Sequence, residues 1–390
     1  MPLPLFALFF AAFGIGTNEF VIAGLLPDVS TDLGVSIPDA GYLITLYALG
    51  IAVGGPLTSI AIGRLDRKLA LLLLVGAFIA GQALCALAPN FATLAVIRVV
   101  LAFAHGAFFG VAAIVATSLV PPERHGSAVA ILLAGITVAN ILGVPAGTAI
   151  GNAFGWRSTF WAVGLLVLLG WAGIWLFVPK TERAPDAPPP NLMREIRVLG
   201  RQAVYLSFAL IVVAMIGQFS LFSYIAPLLI TVTGVPEQAV PWLLLLFGLG
   251  STAGVLLGGR LADWKLMPTL IGMLILSAFI YAVIGIVIHQ PVAMGVAIFI
   301  WGGASFAFGA PAQTRILRWT TDAPNLASPL IPTAFNIGIA LGATIGSVAL
   351  DRGLGYAALP WIGVVVSLLS MLIALASWSL ERRSPTPVLP

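Results

Sequence analysis

Three ionisable side chains stand where a lipid-facing chain would carry none. Glu19 lies in FGIGTNEFVIAGLLPDV (13–29), and Arg98 and His105 lie in VIRVVLAFAHGAFFG (96–110). A charge at the centre of a membrane helix costs about 2.5–3.5 kcal/mol on insertion scales, so such residues face a cavity or a partner. Glu19 falls seven residues before the expected outer end of its span, roughly 10 Å at the helical rise. Arg98 falls at a similar depth in its own span, so the sequence predicts a Glu19–Arg98 pair. Burial and a nearby guanidinium act in opposite senses on a carboxyl's proton affinity, and an opening cavity changes both. Glu19 with Arg98 is therefore the candidate proton-coupling site. His105 stands two turns beyond Arg98 and shares its helix face with Ala102 and Phe109, a face suited to a wet, substrate-lining wall. The alternative is a structural Glu19–Arg98 ion pair with His105 a satisfied core histidine.

The elements that must position these groups follow from composition. Of 390 residues, 60% are hydrophobic and 8% charged, with a mean hydropathy of +1.09. Soluble chains carry about 25% charged residues, so the expected class is an all-α membrane protein. The pI near 9.5 reflects 18 basic against 14 acidic residues, placed by a membrane rule and not as a nucleic-acid surface. Cys85 is the single cysteine, which excludes an intrachain disulfide and leaves no cysteine metal site. The start MPLPLF lacks a basic n-region and its apolar run is long enough to span, so no cleaved signal peptide is expected.

A span needs roughly 20 mostly apolar residues. Such runs occur near 3–26, 40–63, 69–88, 91–120, 126–152, 158–178, 203–232, 239–261, 268–288, 292–314, 326–350 and 356–380, twelve in all. Arg157 and Arg352 alone fall in odd-numbered connections. Apart from Arg98, the other basic residues fall in even-numbered connections or at the C-terminus, among them Arg64, Arg67, Lys68, Arg124, Arg260, Lys265, Arg315 and Arg318. The positive-inside rule then puts both termini in the cytoplasm. The proline-rich stretch at 179–202 divides the chain into a six-helix bundle at 1–178 and a second at 203–390. It reads as an extended linker followed by a short amphipathic surface helix, NLMREIRVLGR. GRLDRK (63–68) and GRLADWK (259–265) follow equivalent spans, as DLGVS and VTGVP close equivalent outer ends. Two pseudo-symmetric bundles with a site between them are the expected architecture.

Other polar side chains at membrane depth are Asn18, Gln82, Asn140, Gln218, Tyr224, Ser305 and Asn336, joined by Phe219, Phe222, Trp301, Phe306 and Phe308. Apolar walls with a few placed polar groups suit a small-molecule site. The substrate-binding candidates are Asn18, His105, Asn140, Gln218, Tyr224, Trp301, Phe306 and Asn336; core packing is the competing role for each aromatic. Gly135, Gly143, Gly147 and Gly151 repeat at multiples of four in span five, as do Gly338, Gly342 and Gly346 in span eleven. Small residues at that spacing let backbones approach closely, which predicts a seam between the halves that opens and shuts, with a bend at Pro145.

These residues together resemble the major facilitator superfamily over essentially the whole chain. More narrowly, the chain looks like the twelve-span drug:proton antiporters of the arabinose-efflux-like and purine-nucleoside-efflux-like branch. GTNEFVIAGLLPDVSTDLGVS with AGYLITLYALGIAVGGPL carries the most specific likeness, and GVPAGTAIGNAFGWRSTFW (143–161) resembles the antiporter motif of span five. The fourth-span motif places its arginine at Arg98. The resemblance implies two bundles rocking about a cavity lined by spans one, four, seven and ten, with export driven by inward proton flow. It also implies a monomer in the bacterial inner membrane, and gating roles for Gly143, Pro145, Gly147, Arg67, Lys68, Gly259 and Asp263. The loop after span two departs from the family pattern, keeping the basic end at Arg67 and Lys68 but carrying Ser59 and Gly63 where glycine and aspartate are usual. The second copy reverses this with Gly259 and Asp263.

The expected function is proton-coupled efflux of a small polar or amphipathic molecule, with the proton gradient as energy source and no cofactor or metal. A facilitator or symporter, in which Glu19 and Arg98 gate or bind substrate without coupling, is the alternative. An enzyme is not expected, because neither a pair of membrane aspartates nor an HExxH motif is present, and Ser305 and Ser347 have no recognisable base.

Overall fold

The computed structural model describes residues 2–180, 200–320 and 324–383. Its described elements are all helical. In lipid a backbone must satisfy its own N–H and C=O groups, and a helix does so within one segment. Twelve helices are long and apolar enough to cross a membrane: α1 Leu3–Leu33, α2 Ile37–Ile62, α3 Arg67–Ala86, α4 Phe91–Ser118, α5 Pro122–Phe154, α6 Trp156–Phe177, α7 Gln202–Phe222, α8 Glu237–Trp264, α9 Leu266–Val287, α10 Pro291–Trp319, α11 Ile331–Asp351 and α12 Tyr356–Glu381.

Local chemistry sets where several of them start and stop. The side chains of Ser36, Asp66 and Asn90 accept backbone N–H groups at the first turns of α2, α3 and α4. Gly34 after α1 and Gly234 beyond α7 both take left-handed backbone, at φ +64° and +75°, where a Cβ would be strained. These two glycines close the equivalent outer ends read from DLGVS and VTGVP. Within α2 and α5 the helix widens into a π-turn, at Gly50–Gly54 and Ala139–Gly143. A proline follows each, Pro56 and Pro145. Proline lacks the N–H and its ring crowds the carbonyl four residues back, and the wide turn takes up that crowding.

The helices pack as two sets of six with matching partners. α1 lies on α5 and α6, α3 on α4 and α6, and α2 on α4; in the second set α7 lies on α11 and α12, α9 on α10 and α12, and α8 on α10. The two sets meet through α2 against α11 and α5 against α8. Thr45 Oγ1 lies 3.2 Å from Thr344 Oγ1, Ser347 donates to the Pro38 carbonyl at 3.0 Å, and Asn152 donates to the Glu237 carbonyl at 3.2 Å. All three lie toward the end carrying the 34–36 connection. At the opposite end the terminal stretch Gly55–Ile62 packs on α4 of its own set, and Leu57 and Ile60 are exposed. The bundles are therefore closed against each other at the 34–36 end, and Arg64, Arg67 and Lys68 lie at the other.

Several boundaries differ from the sequence expectation. α1 continues through Pro27 to Leu33, seven residues past the apolar run. Arg260, Arg315 and Arg318 lie inside α8 and α10, not in connections, and Arg67 and Lys68 open α3. The expected linker and its surface helix fall largely on 181–199, outside the described residues. The glycine seam also lies elsewhere. A Cβ on Gly143 would meet Thr17, one on Gly147 Val21, and one on Gly151 Leu25, all on α1. Gly338, Gly342 and Gly346 face Met215, Ile216 and Tyr224 on the seventh span and its extension. Both stripes bind helices within a bundle; they do not meet across the interface. Close backbone approach makes such a seam rigid, which suits an element that moves as one body.

Candidate functional site

The longer α1 changes the depths. Glu19 is the seventeenth residue of a 31-residue helix and His105 the fifteenth of a 28-residue one, so both sit at mid-helix. Arg98 is a full two turns nearer the closed end. The structure accordingly places the acid beside the imidazole and not beside the guanidinium: His105 Nε2 lies 3.8 Å from Glu19 Oε2. The expected Glu19–Arg98 contact is absent within salt-bridge distance among the described residues. Glu19 keeps 15% of its side chain exposed while His105 keeps 6%. A carboxyl at mid-helix that faces α4 and is still partly exposed opens onto the space between the bundles.

Arg98 docks on α2. Its guanidinium lies 4.6 Å from the centre of the Tyr47 ring, and Nε donates to the Leu43 carbonyl at 3.4 Å. Both its Nη atoms are buried with no hydrogen-bond partner in the structure. An uncompensated buried charge is costly, so cation–π contact with Tyr47 and the field of nearby Glu19 are what hold it. The Tyr47 hydroxyl in turn lies 2.9 Å from His105 Nδ1. Glu19, His105, Tyr47 and Arg98 thus form one continuous polar chain from α1 through α4 and α2 and back to α4. Phe109 covers the imidazole at 5.5 Å between ring centres. Asn18, next to Glu19, is fully buried beside the Tyr47 hydroxyl, and fully buried Gln82 has no hydrogen-bond partner for either amide atom. Tyr47 was not among the sequence candidates; its signal was a phenol inside the apolar run YLITLYALG.

The remaining substrate-binding candidates are dispersed. Trp301 is completely buried, ringed by Phe222, Phe247 and Tyr281 at 4.9–6.1 Å, and belongs to the core of its bundle. Tyr224 donates to the Ala343 carbonyl at 2.9 Å and lies against Gly41 of α2, so it seals the closed end and does not line the cavity. Gln218 shares a small neutral cleft with Ser277, Tyr281, Ser305 and Ser367 inside the second bundle. Asn140 and Asn336 each donate back to their own helix, to Ile136 and Pro332, at 3.1 and 3.0 Å. Phe306 is partly buried, 6.1 Å from Phe247. Phe20 meets Phe219 and Phe222 at 6.2 and 6.3 Å and joins the bundles beside Glu19.

Among the gating candidates, Gly143 and Pro145 flank the end of the α5 π-turn and Gly147 follows one turn on. Lys68 donates to the Trp175 carbonyl at 2.8 Å, while Arg67 begins α3. Gly259 has open space where a Cβ would stand, and Asp263 is exposed near the end of α8. Sequence reading also missed the buried clamp at Arg315, which donates to Ser207 at 2.9 Å and Ser377 at 2.7 Å and pairs with Glu381. It joins α7, α10 and α12, with Met267 of α9 also in contact. No group of three or more histidine, cysteine or acidic side chains capable of holding a metal occurs among the described residues.

Residues 8–318 match the family described as Major Facilitator Superfamily. The chain is 38% identical to the inner membrane transport protein YdhP of Escherichia coli strain K12, covering 99% of this chain and 97% of the relative. It is 35% identical to a chloramphenicol resistance protein of Streptomyces lividans, covering 96% of each. A crystal structure of a bacterial homolog of the human lysosomal transporter Spinster, inward-facing and unoccupied, shares the fold with a TM-score of 0.77. That likeness has 20% identity and covers 97% of this chain and 96% of the other. A match running through both bundles and relatives aligned almost end to end agree with the helix packing: the chain is a multi-pass membrane transporter, not an enzyme, and belongs to the Major Facilitator Superfamily.

Proposed function

We propose that the protein exports a small polar or amphipathic molecule in exchange for protons, by alternating access of the cavity between the two bundles. The observation that carries this reading is the Glu19 carboxyl at mid-helix, partly exposed and 3.8 Å from the His105 imidazole. An acid so placed takes its proton from one side and releases it to the other as the cavity changes the side it opens to. Arg98 supplies a fixed positive charge behind Tyr47 that favours release. The basic connections lie at the end opposite the interface contacts, and the positive-inside rule favours placing that end and both termini in the cytoplasm, in the bacterial inner membrane. The reading takes the protein as a monomer that uses the proton gradient as its energy source, with no cofactor.

A relative named for chloramphenicol resistance directs the search for substrates toward toxic compounds. Growth of an overexpressing strain across a panel of antibiotics, sugars and nucleosides identifies the compound. Its uptake into proteoliposomes, with and without a pH gradient, then tests coupling. Gradient-dependent transport supports the antiport reading. Equal transport without the gradient would replace it with a facilitator.

A further inference from the structure

We infer that Tyr47 is a positioning residue for the coupling site, fixing which nitrogen of His105 carries the proton. The inference rests on the coupling role proposed for Glu19. A protonated phenol can donate or accept. Its hydroxyl lies 2.9 Å from His105 Nδ1, and the arrangement that suits both sides of the ring has Nδ1 accepting from the phenol and the imidazole proton on Nε2, toward the Glu19 carboxyl. Nε2 is the atom that faces Glu19, at 3.8 Å. The Glu19 carboxylate favours the same form, and the hydroxyl adds the donor that Nδ1 needs; without it an unpartnered Nδ1 lone pair remains in a buried site.

The placement of Tyr47 gives the bond a second consequence. The phenol stands on α2, two residues beyond Thr45, whose hydroxyl meets Thr344 across the bundle interface. Tyr47 and His105 belong to one bundle, so parting α2 from α11 carries both groups together and keeps the bond through the change of state. The charged and titratable groups around it are Glu19 on α1, Cys85 on α3, and Arg98 and His105 on α4. Arg98 stacks on the ring face, so removing the hydroxyl alone leaves that contact in place.

The test needs no substrate. The protein has three histidines, and His125 and His289 lie away from the site. A His125→Gln, His289→Gln background, ¹⁵N-labelled at histidine and held in lipid bilayers, reports His105 alone by solid-state NMR. At neutral pH the expected spectrum is that of an Nε2–H imidazole with a hydrogen-bonded Nδ1. Tyr47→Phe is expected to shift the tautomer ratio about fivefold toward Nδ1–H, the worth of one ordinary hydrogen bond, and to displace the imidazole's titration. An Nδ1–H imidazole with Tyr47 intact overturns the inference without recourse to any Tyr47 variant. So does a Tyr47→Phe spectrum and titration indistinguishable from the parent. Gradient-driven transport retained by Glu19→Gln would remove the coupling role while leaving the tautomer result standing, so the two failures are distinguishable.

Discussion

Gly248 offers a direct handle on the bundle interface. It lies on α8 against the π-turn of α5, where a Cβ would stand 2.3 Å from the Asn140 carbonyl oxygen and 2.7 Å from Ile141 Cα. Ordinary contact begins at 3.4 Å, and both obstacles are backbone, so the helices must part by about 1 Å. Overpacking of this kind costs about 1–3 kcal/mol. Because α5 and α8 belong to different bundles, the cost falls on the state in which they touch here, worth about a 5- to 150-fold shift in population. Gly248→Ala should sit at the low end and Gly248→Val at the high end. Double electron–electron resonance reads the shift, with spin labels at Phe154 and Val292, which are 80% and 84% exposed. The single native cysteine, buried Cys85, is replaced by alanine. The distance distribution should gain a longer component that grows from Ala to Val. Folded variants with unchanged distributions would refute the claim that this contact belongs to one state only.

Two further substitutions separate strong from weak polar contacts. Arg315→Ala removes the charge that joins Ser207, Ser377 and Glu381 and leaves a largely buried carboxylate alone. Breaking such a pair costs about 3 kcal/mol, so the melting temperature of the purified protein should fall by several degrees. Asp32→Asn loosens an Arg157 pair whose side chains are 37% and 47% exposed. It should change stability by less than about 1 kcal/mol and leave the melting curve nearly unchanged, because an amide oxygen still accepts from Trp156.

The spans were legible because lipid demands long apolar runs, and their order was enough to give the two-bundle class. Depth was harder to read. Pro27, Asp28, Ser30 and Asp32 interrupt the apolar run of α1, yet the helix continues to Leu33, and this error displaced Glu19 toward Arg98. Apolar runs report what contacts lipid; they do not report where a helix ends. The same limit put Arg315 in a connection, although Glu381 on α12 and the serines of α7 and α12 let a charged residue enter the bundle. Glycine spacing correctly marked close packing but not the partner, since period four names a face and leaves its neighbour open. Tyr47 escaped notice because one phenol in an apolar run has no pattern. Only the meeting of α2 with α4 shows what its hydroxyl reaches.

The central claim is that the mid-membrane acid carries the coupled proton. Substrate transport into proteoliposomes under an imposed pH gradient, compared between wild type and Glu19→Gln, measures it. The account predicts that Glu19→Gln loses gradient-driven accumulation while still equilibrating substrate down its own gradient. Full gradient-driven accumulation by Glu19→Gln would contradict it.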